Sequence, residues 1–290
     1  TENVEAYQYY LRGRQYFHQW RRKAIEYARQ MFERAIEIDP NYALAYAGVA
    51  DCCAFTYNYW DASAPVLAQA DAASRRALEL APDLPEVHVS RGLALAFSRR
   101  FPEAETEFRA AISLNPKLFE AHYFFGRALQ QQGKSAEAVR AFEAASRLRP
   151  DDYQAVTFLG MAYDSVGAKA EAEGTHRKAL QLVERHIELN PEDSRALNLG
   201  ANILVQVHGP AGGAKAREWN ARALAADPDD SGMLYNVACV YARIGEKDEA
   251  IDCLGRAVRS GFGLREWLEH DPDFASVRDD PRFQAILAKM

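Results

Sequence analysis

Apolar residues recur along this chain with the period of a helix. Counting back from Pro116, Ala111, Phe108 and Ala104 lie on one side; the same set before Pro150 is Ala145, Phe142 and Ala138. Ala, three residues, aromatic, two residues, Ala is the i, i+4, i+7 spacing of a single helical face. Similar sets precede other prolines. A small residue stands five before them at Ala35, Ala77 and Ala223, an alanine twelve before at Ala28, Ala70 and Ala216, and a phenylalanine eight before at Phe32. Each proline ends a helix, because it lacks an N–H and clashes with the preceding turn. A second periodic stretch follows it. Asp83 with Glu86, and Asp151 with Gln154, have capping-box spacing and predict the starts of two of those helices.

The period is fixed by the prolines. Pro82, Pro116 and Pro150 stand 34 apart, closing the phrases RALELAP, AAISLNP and AASRLRP. Further copies close at Pro40, Pro191 and Pro228. The unit is a hairpin of two helices, which cannot bury its apolar face alone, so neighbouring hairpins must stack. Three stretches depart from the period. HRKALQLVERHIELNP adds seven residues inside a second helix, close to two turns; HGPAGG, from His208 to Gly213, reads as a loop; the second unit carries eight extra residues after its first helix.

Those extra residues follow DCCAFTYNYW, which taken alone suggests chemistry. Adjacent thiols point to redox or metal binding, and Phe55, Tyr57, Tyr59 and Trp60 to a ligand cage or a base-stacking platform. The repeat register moves Cys53 onto the core position held elsewhere by Leu95, Leu129, Tyr163 and Tyr241, and turns Cys52 away from it. Ser63 and Pro65 then start the second helix. The aromatics are expected either as a plug on neighbouring repeats or as an exposed secondary patch of Tyr57, Tyr59 and Trp60.

The phrases RGLAL from Arg91, FGRAL from Phe125, LGMAY from Leu159 and VACVY from Val237, each followed by Ala, a large residue and Ala, resemble the tetratricopeptide repeat. The resemblance implies an all-α fold, a right-handed solenoid of seven hairpins: 1–42, 43–84, 85–118, 119–152, 153–193, 194–230 and 231–263. Leu264 to Met290 is then a C-terminal cap, with Trp267, Phe274, Phe283 and Leu287 on the last hairpin and Asp280–Pro281 starting a helix. The resemblance also implies a concave groove lined by first helices, in which a peptide or partner protein binds. Its positions are Tyr123, Arg127, Gln130, Thr157, Met161, Asp164, Arg195, Asn198, Asn202, Tyr235, Asn236 and Arg243. Some family members clamp a C-terminal carboxylate; here Phe158 and Leu199 stand where polar contacts would be needed beside Arg127 and Arg195, so no such clamp is expected.

Composition narrows the rest. A net charge of −6 with both signs interspersed argues against a nucleic-acid partner or an anionic membrane surface. No apolar run approaches the eighteen or so residues of a membrane span. Cys52, Cys53, Cys239 and Cys253 form neither a disulfide framework nor a CxxC metal motif, which suits reduced thiols and a cytoplasmic setting. His88 and His122 repeat at one core position, and His176 and His186 stand ten apart, not as an i, i+4 metal pair. With no nucleophile elbow, P-loop or dinucleotide motif, the chain is expected to need no cofactor and not to be an enzyme. The absent initiator Met, and an opening AYQYYLRGRQYF that resembles repeat tails of bacterial cyclases, kinases and winged-helix regulators, keep a second reading open: a regulatory or self-associating region of a larger signalling protein.

Overall fold

The computed structural model describes residues 1–290 except Trp20 and Leu264, and except the side chains of Glu266 and Trp267. Among the described residues every regular element is helical. They form two compact units, Thr1–Lys169 and Ala170–Met290.

The first unit holds α1 (Val4–Phe17), α2 (Arg22–Ile38), α3 (Ala43–Tyr59), α4 (Ala64–Leu80), α5 (Pro85–Phe97), α6 (Phe101–Leu114), α7 (Phe119–Gln131), α8 (Ser135–Leu148) and α9 (Tyr153–Ser165). α1 packs on α2, α3 on α4, α5 on α6 and α7 on α8, while α1, α3, α5 and α7 also touch in succession. The first helices thus form one continuous layer.

In the first, third and fourth hairpins a ring from the second helix enters a notch on the first. A Cβ added at Gly92 would stand 2.9 Å from the Phe108 ring, at Gly126 2.8 Å from Phe142, and at Gly13 2.6 Å from Phe32. Only hydrogen at those positions lets the backbones approach this closely. The same Phe32 fills a second notch at Gly48 on α3, tying hairpin one to hairpin two. All three phenylalanines are fully buried. The turn into the second helix is left-handed, at Gly133 (φ 71°) and Gly167 (φ 74°); the position 34 earlier holds Arg99 (φ 58°), an arginine in a conformation that favours glycine.

Two sequence expectations are corrected here. Neither capping box forms: α5 starts after Leu84 with no side-chain cap, and Pro85 in its first turn removes one of the N–H groups a cap would serve. α9 is capped one residue later than expected, by Asp152, whose Oδ1 accepts from the Ala155 N–H at 2.8 Å. His88 and His122 are half-buried rather than core residues: their Nε2–H groups donate to the carbonyls of Pro82 (2.7 Å) and Pro116 (2.9 Å), which the prolines leave without helical partners. His88 also bonds Glu107 at 2.6 Å, and that carboxylate holds the imidazole pKa above its usual range.

The second unit contains α10 (Lys169–Leu189), α11 (Ser194–His208), a 3₁₀ turn over Gly209–Gly212, α12 (Gly213–Ala226), α13 (Ser231–Ile244), α14 (Lys247–Arg259), α15 (Arg265–His270) and α16 (Pro281–Leu287). The seven-residue excess lies inside α10, which runs 21 residues. The stretch HGPAGG is an ordered 3₁₀ turn rather than a loop; Gly212 sits so tightly under the Leu204 carbonyl that an added Cβ would be 2.8 Å from it. Here the notch at Gly200 takes Trp219, 2.6 Å from an added Cβ. Phe274, Phe283 and Leu287 share one core with Leu234, Val237 and Leu254. Trp267, expected to cover the last hairpin, has a side chain outside the described residues.

Candidate binding site

A cavity of about 370 Å³ opens in the layer of first helices of the first unit. That is within the ordinary size of a ligand site. α1 contributes Tyr10, Arg14 and Phe17, α3 Asp51, α5 Glu86 and Ser90, and α7 Phe119, Glu120, Tyr123 and Phe124; Arg149 and Gln154 complete it. Its walls are aromatic and its charged groups mostly face one another. Arg149 donates to Glu120 at 2.8 Å and lies 4.2 Å from the centre of the Phe119 ring. Arg14 donates to the Tyr10 hydroxyl at 3.2 Å and stands 3.4 Å from His18 Nε2.

Asp51 is different. Its Oδ1 is buried and has no hydrogen-bond partner in the protein. Burial pushes the carboxyl from an ordinary 3.8 to about 7; the Ser90 hydroxyl and Arg14 pull it down, and Glu120 pushes it further up. It is also the one charged residue in α3, whose remaining residues are small, apolar, aromatic or neutral. That lone charge in an otherwise uncharged helix was the signal available in the sequence, masked by the more conspicuous thiols beside it.

The structure places the expected groove residues variously. In the first unit, Arg127 donates to the Tyr59 hydroxyl at 2.9 Å and lies over the Phe158 ring at 5.4 Å. Gln130 and Met161 are half-buried and Asp164 is exposed. Tyr123 is buried yet lines the cavity, its hydroxyl donating to Gln154 at 3.3 Å. Thr157 faces inward, fully buried, with its hydroxyl on the Tyr153 carbonyl at 2.7 Å. In the second unit, Asn198 is buried and donates to Asn220 at 3.3 Å, while Asn202 donates to the Asn198 carbonyl at 3.1 Å. Tyr235 is buried and donates to Asp271. Arg243 donates to Gln206 at 2.6 Å, Arg195 is half-buried, and Asn236 is exposed. Thr157, Asn198 and Tyr235 are therefore buried rather than presented to a groove in this structure. A first helix packs on its own second helix and on flanking first helices, so these positions turn into the core.

The aromatic stretch packs as a plug. Phe55 is fully buried, stacks on Tyr59 at 6.0 Å, and meets Phe17 at 5.4 Å and Phe124 at 6.0 Å. Trp60 packs on the core of the first two hairpins, and Tyr57 is half-buried. The four cysteines are free and buried. Cys52, expected to point away from the core, is fully buried as well, because α3 is covered by α1, α2, α4 and α5. Burial raises all four thiol pKa values, to about 11 at Cys53 and Cys253, which disfavours the reactive thiolate. Cys239, Asp271 and Asp273 lie within metal-binding reach of one another, but Asp271 already accepts from Tyr235 and from the Asp273 N–H, and Asp273 faces Arg243 at 3.8 Å. No described helix is long and apolar enough to cross a membrane.

Comparison with known proteins agrees with this geometry. Family models described as tetratricopeptide repeat match residues 123–183 and 231–260. A stretch of 103 residues is 34% identical to "Putative adenylate cyclase 3" of Rhizobium meliloti (strain 1021), covering 35% of this chain but only 18% of that protein. Among solved structures, Cut9 in the APC/C hetero-tetramer Cut9-Hcn1 superposes with a TM-score of 0.66 at 15% identity, over 96% of this chain and 54% of that one. The type IV pilus biogenesis factor PilW does so with a TM-score of 0.53 at 21% identity, over 78% and 95%. At such identities the likeness is one of fold, an all-α solenoid of helical hairpins. The 34-residue period and the glycine-notched hairpins agree with those two matches, which mark tetratricopeptide repeats at residues 123–183 and 231–260.

Proposed function

We propose that the chain is a non-catalytic protein-interaction scaffold whose first-helix face in the unit 1–169 takes an extended segment of a partner protein. The cavity is the observation that carries this reading. It is built from the first four hairpins together with Gln154 of the fifth, is walled by rings that bury well, and holds polar groups that can bond a backbone. Panning the isolated chain against a peptide library, followed by titration of the selected peptides, tests it. Glu120→Lys, which reverses a charge in the cavity wall, should weaken those peptides about tenfold or more; Arg76→Glu on α4 should leave them unchanged. If no peptide is selected, or all of them tolerate Glu120→Lys, the reading fails.

The match to a cyclase supports a second role, as the repeat region of a larger signalling protein, in which self-association or partner capture regulates an attached domain. Light scattering across a concentration range tests self-association; a monomer at the highest concentration discards that form of the reading.

A further inference from the structure

We propose that the cavity at Asp51 is a socket for a basic side chain, the ammonium of a lysine or the guanidinium of an arginine carried by the bound segment. This deepens the scaffold reading and rests on it. Four observations converge. First, Asp51 Oδ1 is a buried acceptor without a donor, and leaving such a group unmade is costly. A ligand that donates N–H or O–H relieves it. Second, the two guanidinium groups of the cavity are already engaged within the chain, Arg149 by Glu120 and Arg14 by the Tyr10 hydroxyl. The lining carries the carboxylates of Asp51, Glu86, Glu120 and Asp152 against the guanidinium groups of Arg14 and Arg149, a balance that favours a cationic ligand over an anionic one. Third, the lining includes the rings of Tyr10, Phe119 and Phe124, and aromatic rings attract a cation that has left water. Arg149 over Phe119 shows a guanidinium already adopting that geometry at this site. Fourth, the acid stands at the wall of a space large enough for an unbranched side chain.

The acid's raised pKa agrees with this arrangement: an isolated buried carboxylate takes up a proton, and a cation beside it restores the charged form. A bound water would also satisfy Oδ1, but it would discriminate neither charge nor the Asp51 carboxylate.

The test uses the full chain and three small probes: n-butylammonium, n-butylguanidinium and the neutral isostere n-butylurea. Calorimetric or NMR titration should give at least one cation a dissociation constant near or below about 10 mM, with n-butylurea at least about tenfold weaker. The two cations separate lysine from arginine. Asp51→Asn should weaken the preferred cation about tenfold and leave n-butylurea unmoved; Glu86→Gln, elsewhere in the lining, should weaken it by a smaller factor and serves if the first variant misfolds. Equal binding of cation and urea, no binding of either cation, or indifference to both substitutions would overturn the socket. The two readings fail separately. A chain that selects peptides sensitive to Glu120→Lys but ignores both cations loses only the socket, and one that binds the cations but selects no peptide loses only the groove.

Discussion

In the unit 1–169, Tyr10, Tyr123 and Phe119 stand around open space, and a carboxylate oxygen among them has no partner. In the unit 170–290 the corresponding first-helix tyrosine, Tyr235, is already occupied. Its hydroxyl donates to Asp271, Phe262 stacks on its ring at 4.4 Å and Phe274 meets it edge-on at 5.7 Å. Both tyrosines, Tyr123 and Tyr235, are buried and hydrogen-bonded, and the difference is that Tyr123 also borders open space. What distinguishes them is the chain that follows: residues 262–287 supply the second unit with its own covering groups. A repeat position stays open to a partner only where the protein has nothing of its own to lay on it.

The largest test of this contrast concerns what both units share, the ring in a glycine notch. Phe142→Ala should cost about 3–5 kcal/mol in urea unfolding, since it empties a fully buried site against Gly126. A cost below about 1 kcal/mol would mean that the first unit is held by something other than its notches.

Next comes the unpartnered acid. The folded Asp51 pKa, about 7, lies above its ordinary 3.8, so the folded chain keeps a proton that the unfolded chain releases across that window. Stability therefore falls as pH rises from about 4 to 7, and the penalty is fully present above it. Asp51→Asn removes the titration: near pH 4 it should match the parent, and near pH 8 it should be more stable by roughly 2 kcal/mol, with about 4 as the ceiling set by three pKa units. Thermal melts at the two pH values measure the difference; equal gains at both would mean that the charge is not the cause.

The smallest effect sharpens the other side. Tyr235→Phe should lose a hydrogen bond to a carboxylate, about 1–2 kcal/mol, without changing cation binding in the first unit. An unchanged midpoint would show the closing segment to be held by its rings alone.

Much of this was legible in the residues. The 34-residue proline spacing and the Ala–Phe–Ala face of each second helix translate directly into hairpins, since a period and a helix breaker are local signals. The Gly–Phe notches were legible as residue types but not as contacts. The site was less so. Thr157 and Asn198 were placed by repeat position, which says where a residue lies on its helix but not whether a neighbour covers it. Asp51, Glu86 and Glu120 come from hairpins two, three and four, and no single repeat contains their juxtaposition. Cys52 was misjudged because α3 is covered by α1, α2, α4 and α5, which the face-and-back logic of an amphipathic helix does not anticipate.

The notches have a consequence for how such a chain can grow. Gly92 and Phe108 are 16 residues apart, as are Gly126 and Phe142, so both halves of each contact lie within one 34-residue stretch. A gene duplication that copies one stretch copies lock and key together, and the new hairpin arrives able to close on itself. The cavity is not inherited that way. It draws most of its side chains from α1, α3, α5 and α7, and copying any one of them transmits only a small part of it. Stability in this architecture is a property of the copy, whereas recognition belongs to the order in which the copies stand.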